Sequence, residues 1–154
     1  MKLKSLLLAT IAPLALASLP VHAQFAKVED AAEYRQAALS VMGTHFRRIG
    51  DVVKGNKPYD KAAMENDAAI VEMLSKLPWS AFPPNSIVGD SKAKPEIWKE
   101  QDKFKDDADK LQAATQKLSA AAKTGDLAAI KTAFGETGKA CKACHEEFKK
   151  KDKD

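Results

Sequence analysis

The only two cysteines of the chain stand three residues apart in Cys141-Lys142-Ala143-Cys144-His145. C-x-x-C-H is the pattern that attaches a c-type haem: the two thiols form thioethers with its vinyl groups and the trailing imidazole binds its iron. On a helix, the three-residue step sets the sulfurs on neighbouring ridges, and His145, one turn after Cys141, rises beneath the same ring. Other chemistries use two thiols differently. A structural zinc site wants two more Cys or His ligands, and the nearest further histidine outside the N-terminal leader, His45, is far away in sequence. A thioredoxin-like pair belongs beside a βαβ pattern, which is absent, whereas a plain disulfide suits any exported protein. One covalent haem c, anchored by Cys141 and Cys144 with His145 on iron, is the reading that agrees with export, the trailing histidine and a helical setting.

Export is written at the other end of the chain. Lys2 and Lys4 precede an apolar run from Leu6 to Leu19, broken only by Thr10, Pro13 and Ser18, and Val21-His22-Ala23 offers small residues to a signal peptidase. The run is shorter than the roughly 20 apolar residues of a spanning helix. The expectation is a signal peptide over residues 1–23, cleaved after Ala23, a periplasmic mature chain of residues 24–154 and no membrane span within it. Ala15-Leu16-Ala17 is a second possible cut.

Charge excludes little until that leader is set aside. The full chain carries a net +4, the leader takes two lysines and no acid with it, and residues 24–148 balance 19 basic against 19 acidic side chains. The excess sits in Lys149 to Asp154, which reads as a frayed helix end suited to the negative pole of the helix dipole rather than as a nucleic-acid arm. No nucleic-acid partner is expected.

The elements that must position the motif follow from periodicity. Ala32, Arg35, Leu39, Met42, Phe46, Ile49 and Val53 fall on one stripe of a helix over residues 28–54, stopped by Gly55. Asp60 can cap a second helix, in which Ala63, Ile70, Met73 and Leu77 share a face before Pro78. Residues 78–95 hold four prolines with Trp79, Phe82 and Gly89 and keep no period, so they read as a long loop whose aromatics pack against something. Pro95 opens a third helix carrying Ile97, Phe104, Ala108, Leu111, Leu118 and Ala122, and Gly125 ends it. Asp126 caps a fourth, with Ile130, Phe134, Cys141, His145 and Phe148 on one side and Gly135 and Gly138 leaving that face shallow for a planar ligand. The sum is an all-α, antiparallel four-helix bundle.

With the motif near the C-terminus of such a bundle, the chain resembles the cytochromes c′. The matching stretches are Tyr34-Arg35-Gln36, Leu39 to Phe46, Leu77-Pro78-Trp79 with Phe82, Pro95-Glu96-Ile97-Trp98 and Phe134-Gly135, besides the motif itself. The resemblance implies five-coordinate iron, binding of nitric oxide or carbon monoxide, and homodimers through the first two helices, where Val41, Val52 and Val71 are candidate contacts. It implies Leu39 on the distal face, Arg35 and Gln36 at the haem propionates, and Phe82 beside the cofactor. Two departures stand out. Lys149 occupies the place where some members have an arginine, and lysine lacks the planar fork, so the gas chemistry tied to that arginine does not carry over. The loop between Trp79 and Trp98 is longer than in close relatives, with Asn85 to Val88 as the added part.

Whether iron keeps an open site depends on a sixth ligand. Upstream candidates are Met42, Met64, Met73 and His45, of which Met42, on the stripe of Leu39, is the serious one. An open site gives a gas binder or single-electron carrier. Closure by Met42 gives the alternative, a low-spin, six-coordinate His/Met electron carrier. A peroxidase would need polar distal acid–base groups that a leucine does not supply, so no enzyme is expected.

Overall fold

The computed structural model describes residues 24–151. The expected leader over residues 1–23, with its expected cleavage site, and residues 152–154 lie outside the described residues. Helix α1 (Val28–Val53) starts with Glu29 and Asp30 at its positive pole and ends where Gly55 turns to φ +79°. Helix α2 (Lys61–Leu74) is capped by Asp60, whose carboxylate accepts the Ala63 amide at 2.7 Å. A 3-10 turn, Pro78–Ala81, follows, then a long loop, a one-turn α3 (Glu96–Lys99), α4 (Gln101–Thr124) and α5 (Leu127–Phe148). Gly125, at φ +76°, ends α4, and the Asp126 carboxylate accepts the amides of Ala128 and Ala129 to start α5. The two turns predicted from Asp60 and from Gly125-Asp126 are thus made by the side chains expected.

Helices α1, α2, α4 and α5 pack in a ring, each against the next, as an antiparallel four-helix bundle. Its core is Met42 and Ile49 from α1, Met64, Ala68 and Val71 from α2, Leu111, Leu118 and Ala122 from α4, and Ile130 and Ala133 from α5.

Four sequence expectations need correction. The third helix is not continuous: Glu100, at φ −120° and ψ 50°, separates α3 from α4. The Trp98 indole donates to the Phe82 carbonyl at 3.0 Å and the Lys94 amide to the Phe148 carbonyl at 2.9 Å, so this turn follows the loop and the end of α5 instead of the bundle axis. Apolar spacing alone cannot report such a break.

In α2 the inward face is Met64, Ala68, Val71 and Ser75, not Ala63, Met73 and Leu77, which are exposed. The helix has two apolar faces, and the inward one mixes small and polar residues that a hydrophobic count underrates. Val71 is therefore core rather than interface and Val52 is half-buried against that core, while Val41 remains 47% exposed.

Of the two glycines on α5, Gly138 lies at the cavity described below. Gly135 points into open space. Finally, the described residues after Phe148 are not a frayed helix end. Lys149 is extended and bridges to Ala93, and the Lys150 amide donates to the Lys92 carbonyl at 2.7 Å. The long loop and the end of α5 hold each other through this short pairing.

One tight joint of the bundle involves a glycine that periodicity did not single out. A Cβ on Gly50 of α1 would stand 2.9 Å from Cζ of Phe134, whose ring is backed by Phe46 at a centroid distance of 4.4 Å. With Phe46 behind it the ring has no easy retreat. Gly50→Ala is expected to cost about 1–3 kcal/mol in denaturant unfolding, despite alanine's better helix propensity; a stabilised variant would contradict the close approach.

Candidate functional site

The motif occupies the last two turns of α5. Cys141 and Cys144 are half-buried free thiols, and His145 is exposed at the same edge. Burial holds the Cys141 thiol above its usual range, and burial with the Asp107 carboxylate nearby pushes Cys144 up to about 11. Both are therefore protonated at neutral pH. That is the opposite of the acidic thiol that a thioredoxin-like pair uses as nucleophile. Burial, and then the ammonium of Lys149, lower the pKa of His145 and favour the neutral imidazole that a metal needs. Among the described residues, no three His, Cys, Asp or Glu side chains gather into a cage for a bare metal ion.

These three side chains line a cavity of about 580 Å³ between α1, α4, α5 and the long loop. Leu39, Met42 and Phe46 form the α1 wall, and Phe82 and Phe104 with Phe148 close one end. Phe104 is the hub there, edge-on to Phe82 at 5.0 Å, to Phe148 at 5.2 Å and to Trp79 at 5.7 Å. A cavity of this size, mostly apolar, with two thiols and an imidazole on one wall, fits a large planar cofactor tethered from α5. Gly138 adds room on that wall.

Arg35 also lines the cavity, and it is 2% exposed. One terminal nitrogen donates to the Ala81 carbonyl at 2.8 Å and to Ser86 Oγ at 3.0 Å; the other donates to the Ser86 carbonyl and to Ser91 Oγ at 2.9 Å. The guanidinium also lies 4.7 Å from the centre of the Phe82 ring. All four terminal N–H groups are thus spent on the loop over residues 81–91, and desolvation lowers the pKa of Arg35. Ser86, within the stretch expected to be the loop's added part, supplies two of the four acceptors. Gln36 lines the same cavity at its exposed rim.

Of the candidate sixth ligands, Met42 alone lines the cavity. Met64 is core, Met73 is 54% exposed, and His45 is held by Asp67 of α2 at 2.6 Å. Sequence reasoning singled out Cys141, Cys144, His145, Arg35, Gln36, Leu39 and Phe82, and the structure brings all seven to this cavity. It missed Ser86 and Ser91, because isolated serines in a loop give no pattern that reveals a distant arginine.

Comparison with known proteins bears on what such a cavity holds. A family model described as Cytochrome C′ matches residues 30–149. The cytochrome c′ of Alcaligenes xylosoxydans xylosoxydans is 48% identical over 128 residues, covering 83% of this chain and 99% of that protein. Among solved structures, cytochrome c′ from Rubrivivax gelatinosus matches with a TM-score of 0.79 at 48% identity, over 82% of this chain and 100% of that one. A nitric oxide complex of a leucine-to-alanine variant of cytochrome c prime from Alcaligenes xylosoxidans matches with a TM-score of 0.78 at 46% identity, over 84% of this chain and 100% of that one.

The Arg35 joint yields a stability prediction. Ser86→Ala removes one of the four acceptors that hold the buried Arg35 guanidinium, which costs about 1–3 kcal/mol where no water can substitute. Unfolding in denaturant checks this, with the exposed Ser80→Ala as the neutral control; equal stability of the two variants would contradict the latch.

Proposed function

This chain belongs to the cytochrome c′ family, whose members carry a covalently attached haem c with iron, and on that premise we propose an exported, single-haem cytochrome with a five-coordinate iron that binds nitric oxide or carbon monoxide and passes single electrons. The observation that carries this reading is the composition of the cavity wall. Its only imidazole among the described residues is His145 and its only thioether is Met42, while Leu39 faces it from α1. When bound, haem supplies one-electron redox chemistry and an axial position for a diatomic gas. Cys141 and Cys144 would tether it and His145 would be its protein ligand. Leu39 would exclude large or polar ligands by bulk. The Leu39 and Met42 side chains offer no acid–base group for cleaving peroxide, which supports a carrier or gas binder over an enzyme.

Arg35, already committed to the loop, would act on the haem carboxylates as a fixed positive charge more than as a bidentate clamp, leaving Gln36 at the rim for direct contact. A nitric oxide complex of a relative's leucine variant supports the gas-binding half of the reading. Export is supported by the leader pattern, and no helix among the described residues is long and apolar enough to cross a membrane. A homodimer is supported by the outward apolar face of α2. Val41 of α1 and Met73 of α2 are both exposed, at 47% and 54%.

The second reading, closure of the iron by Met42, draws on that residue's place in the cavity wall. Carbon monoxide binding to the ferrous protein separates the two. An open site hindered by Leu39 gives a five-coordinate, high-spin spectrum and slow association, which Leu39→Ala speeds at least tenfold, equal to about 1.4 kcal/mol of steric barrier. A low-spin spectrum that Met42→Ala converts to high-spin would establish the alternative instead. For assembly, sedimentation at micromolar concentration should report a dimer, and Met73→Glu, which places a charge on the outward face of α2, should shift it towards monomer. A monomeric unmutated protein would refute the dimer alone.

A further inference from the structure

Charge is spread unevenly over this molecule. Residues 24–151 hold 22 basic and 19 acidic side chains, so the described chain is close to neutral. Next to the cavity, a shallow groove along α5 is lined by Lys142, Lys149, Lys150 and Lys151, with Glu146 as the carboxylate among them. Groove and cavity share Gly138, Cys141, His145 and Lys149, so both open at the edge where the motif is exposed. The cavity rim adds Arg47 and Lys92 against Asp90. Four lysines and one carboxylate thus line the groove, Arg47, Lys92 and Asp90 stand at the cavity rim, and the Lys103 ammonium pairs with the Asp107 and Glu147 carboxylates at the α4 side of the same edge.

The fold fixes this arrangement. The bridge between Ala93 and Lys149, with the Lys150 amide on the Lys92 carbonyl, holds Lys92, Lys149 and Lys150 side by side at the end of α5. The Lys94 ammonium donates to the Glu146 and Glu147 carbonyls at 3.2 and 3.0 Å, capping the helix. Glu146 offsets one of the groove's four lysines, pairing with Lys142 at 3.6 Å with both partners exposed.

We propose that this basic rim is the docking surface of an acidic electron-transfer protein, which sets its own redox centre against the Cys141–His145 edge. The proposal rests on the reading that a haem is held there. Electron transfer requires only a brief encounter in the right orientation, and weak redox complexes have small interfaces. Opposed charge at the rim of such a contact raises the association rate and selects orientation without making the complex tight. In a near-neutral protein, a cationic groove at the Cys141–His145 edge steers an anionic partner toward that edge.

The test follows reduction of the ferric holoprotein by a small acidic one-electron donor, reduced plant-type ferredoxin, in a stopped-flow instrument at rising ionic strength. The second-order rate constant should fall about tenfold or more between low and physiological salt. Lys150→Glu combined with Lys151→Glu, both exposed, should lower the low-salt rate by a similar factor and flatten its salt dependence, with the visible spectrum unchanged. Lys54→Glu combined with Lys57→Glu, in the α1–α2 turn at the opposite end of the bundle, makes the same change in net charge and should leave most of the rate intact. A rate indifferent to salt, or equal losses in the two charge-reversed proteins, would overturn the proposal. So would a faster reaction with the cationic donor hexaammineruthenium(II), or stable capture of the holoprotein by phosphatidylglycerol vesicles at physiological salt, which would assign the rim to lipid. A purified protein with no haem absorption would fail the underlying reading first, before any rate is measured.

Discussion

The four long helices do not close on one another between Leu39 and His145, and the rest of the molecule is arranged around that gap. A bundle of this length normally fills its interior with large aliphatic side chains at crystal-like density. Here the layer at the level of the motif holds a cavity of about 580 Å³ instead, with small or polar groups such as Gly138, Thr115 and Thr137 on its walls. The bundle is well packed at the other end, where Gly50 lets Phe134 sit against α1 and where Ile49, Leu118 and Ile130 are fully buried. Rigid packing at one end holds open the other, so the walls that carry Cys141, Cys144 and Leu39 keep their separation.

The long loop finishes the site. It runs from the end of α2 across the mouth of the cavity, and Arg35 fastens it by spending every terminal N–H on residues 81, 86 and 91. A guanidinium so placed without a carboxylate is costly to desolvate, and neutral acceptors offset only part of that cost. The chain retains a net positive charge in the cavity wall, where an anionic edge of a cofactor would meet it. The pairing of residues 92–94 with 148–150 then ties the loop to the helix that bears the motif. Motif, latch and basic rim are thus parts of one connected element.

Much of this was legible in the sequence, for reasons that differ by residue. Cys141, Cys144 and His145 announce themselves because their chemistry requires a fixed spacing on one helix. The stripe of α1 and the caps at Asp60 and Asp126 are local, so they could be placed within a residue or two. The α2 face was assigned to the wrong side because that helix is apolar on both, and only its neighbours decide which side is buried. The break at Glu100, the seat of Phe134 on Gly50 and the grip of Ser86 and Ser91 on Arg35 arise between residues far apart in the chain. No period or motif encodes such contacts, so residue spacing cannot reveal them. Arg35 lines the cavity, and nothing in the resemblance foretells that the loop occupies its donors.

The central claim is that one turn of α5 anchors a cofactor covalently in the cavity. Its most direct test is the intact mass and visible spectrum of the protein after extraction in acidified organic solvent, for the unmutated chain and for Cys141→Ser combined with Cys144→Ser. The account predicts that the unmutated chain keeps the mass of one haem and its colour, while the doubly substituted chain releases both to the solvent. Retention of haem by the doubly substituted chain, or its loss from the unmutated one, would contradict attachment at this turn.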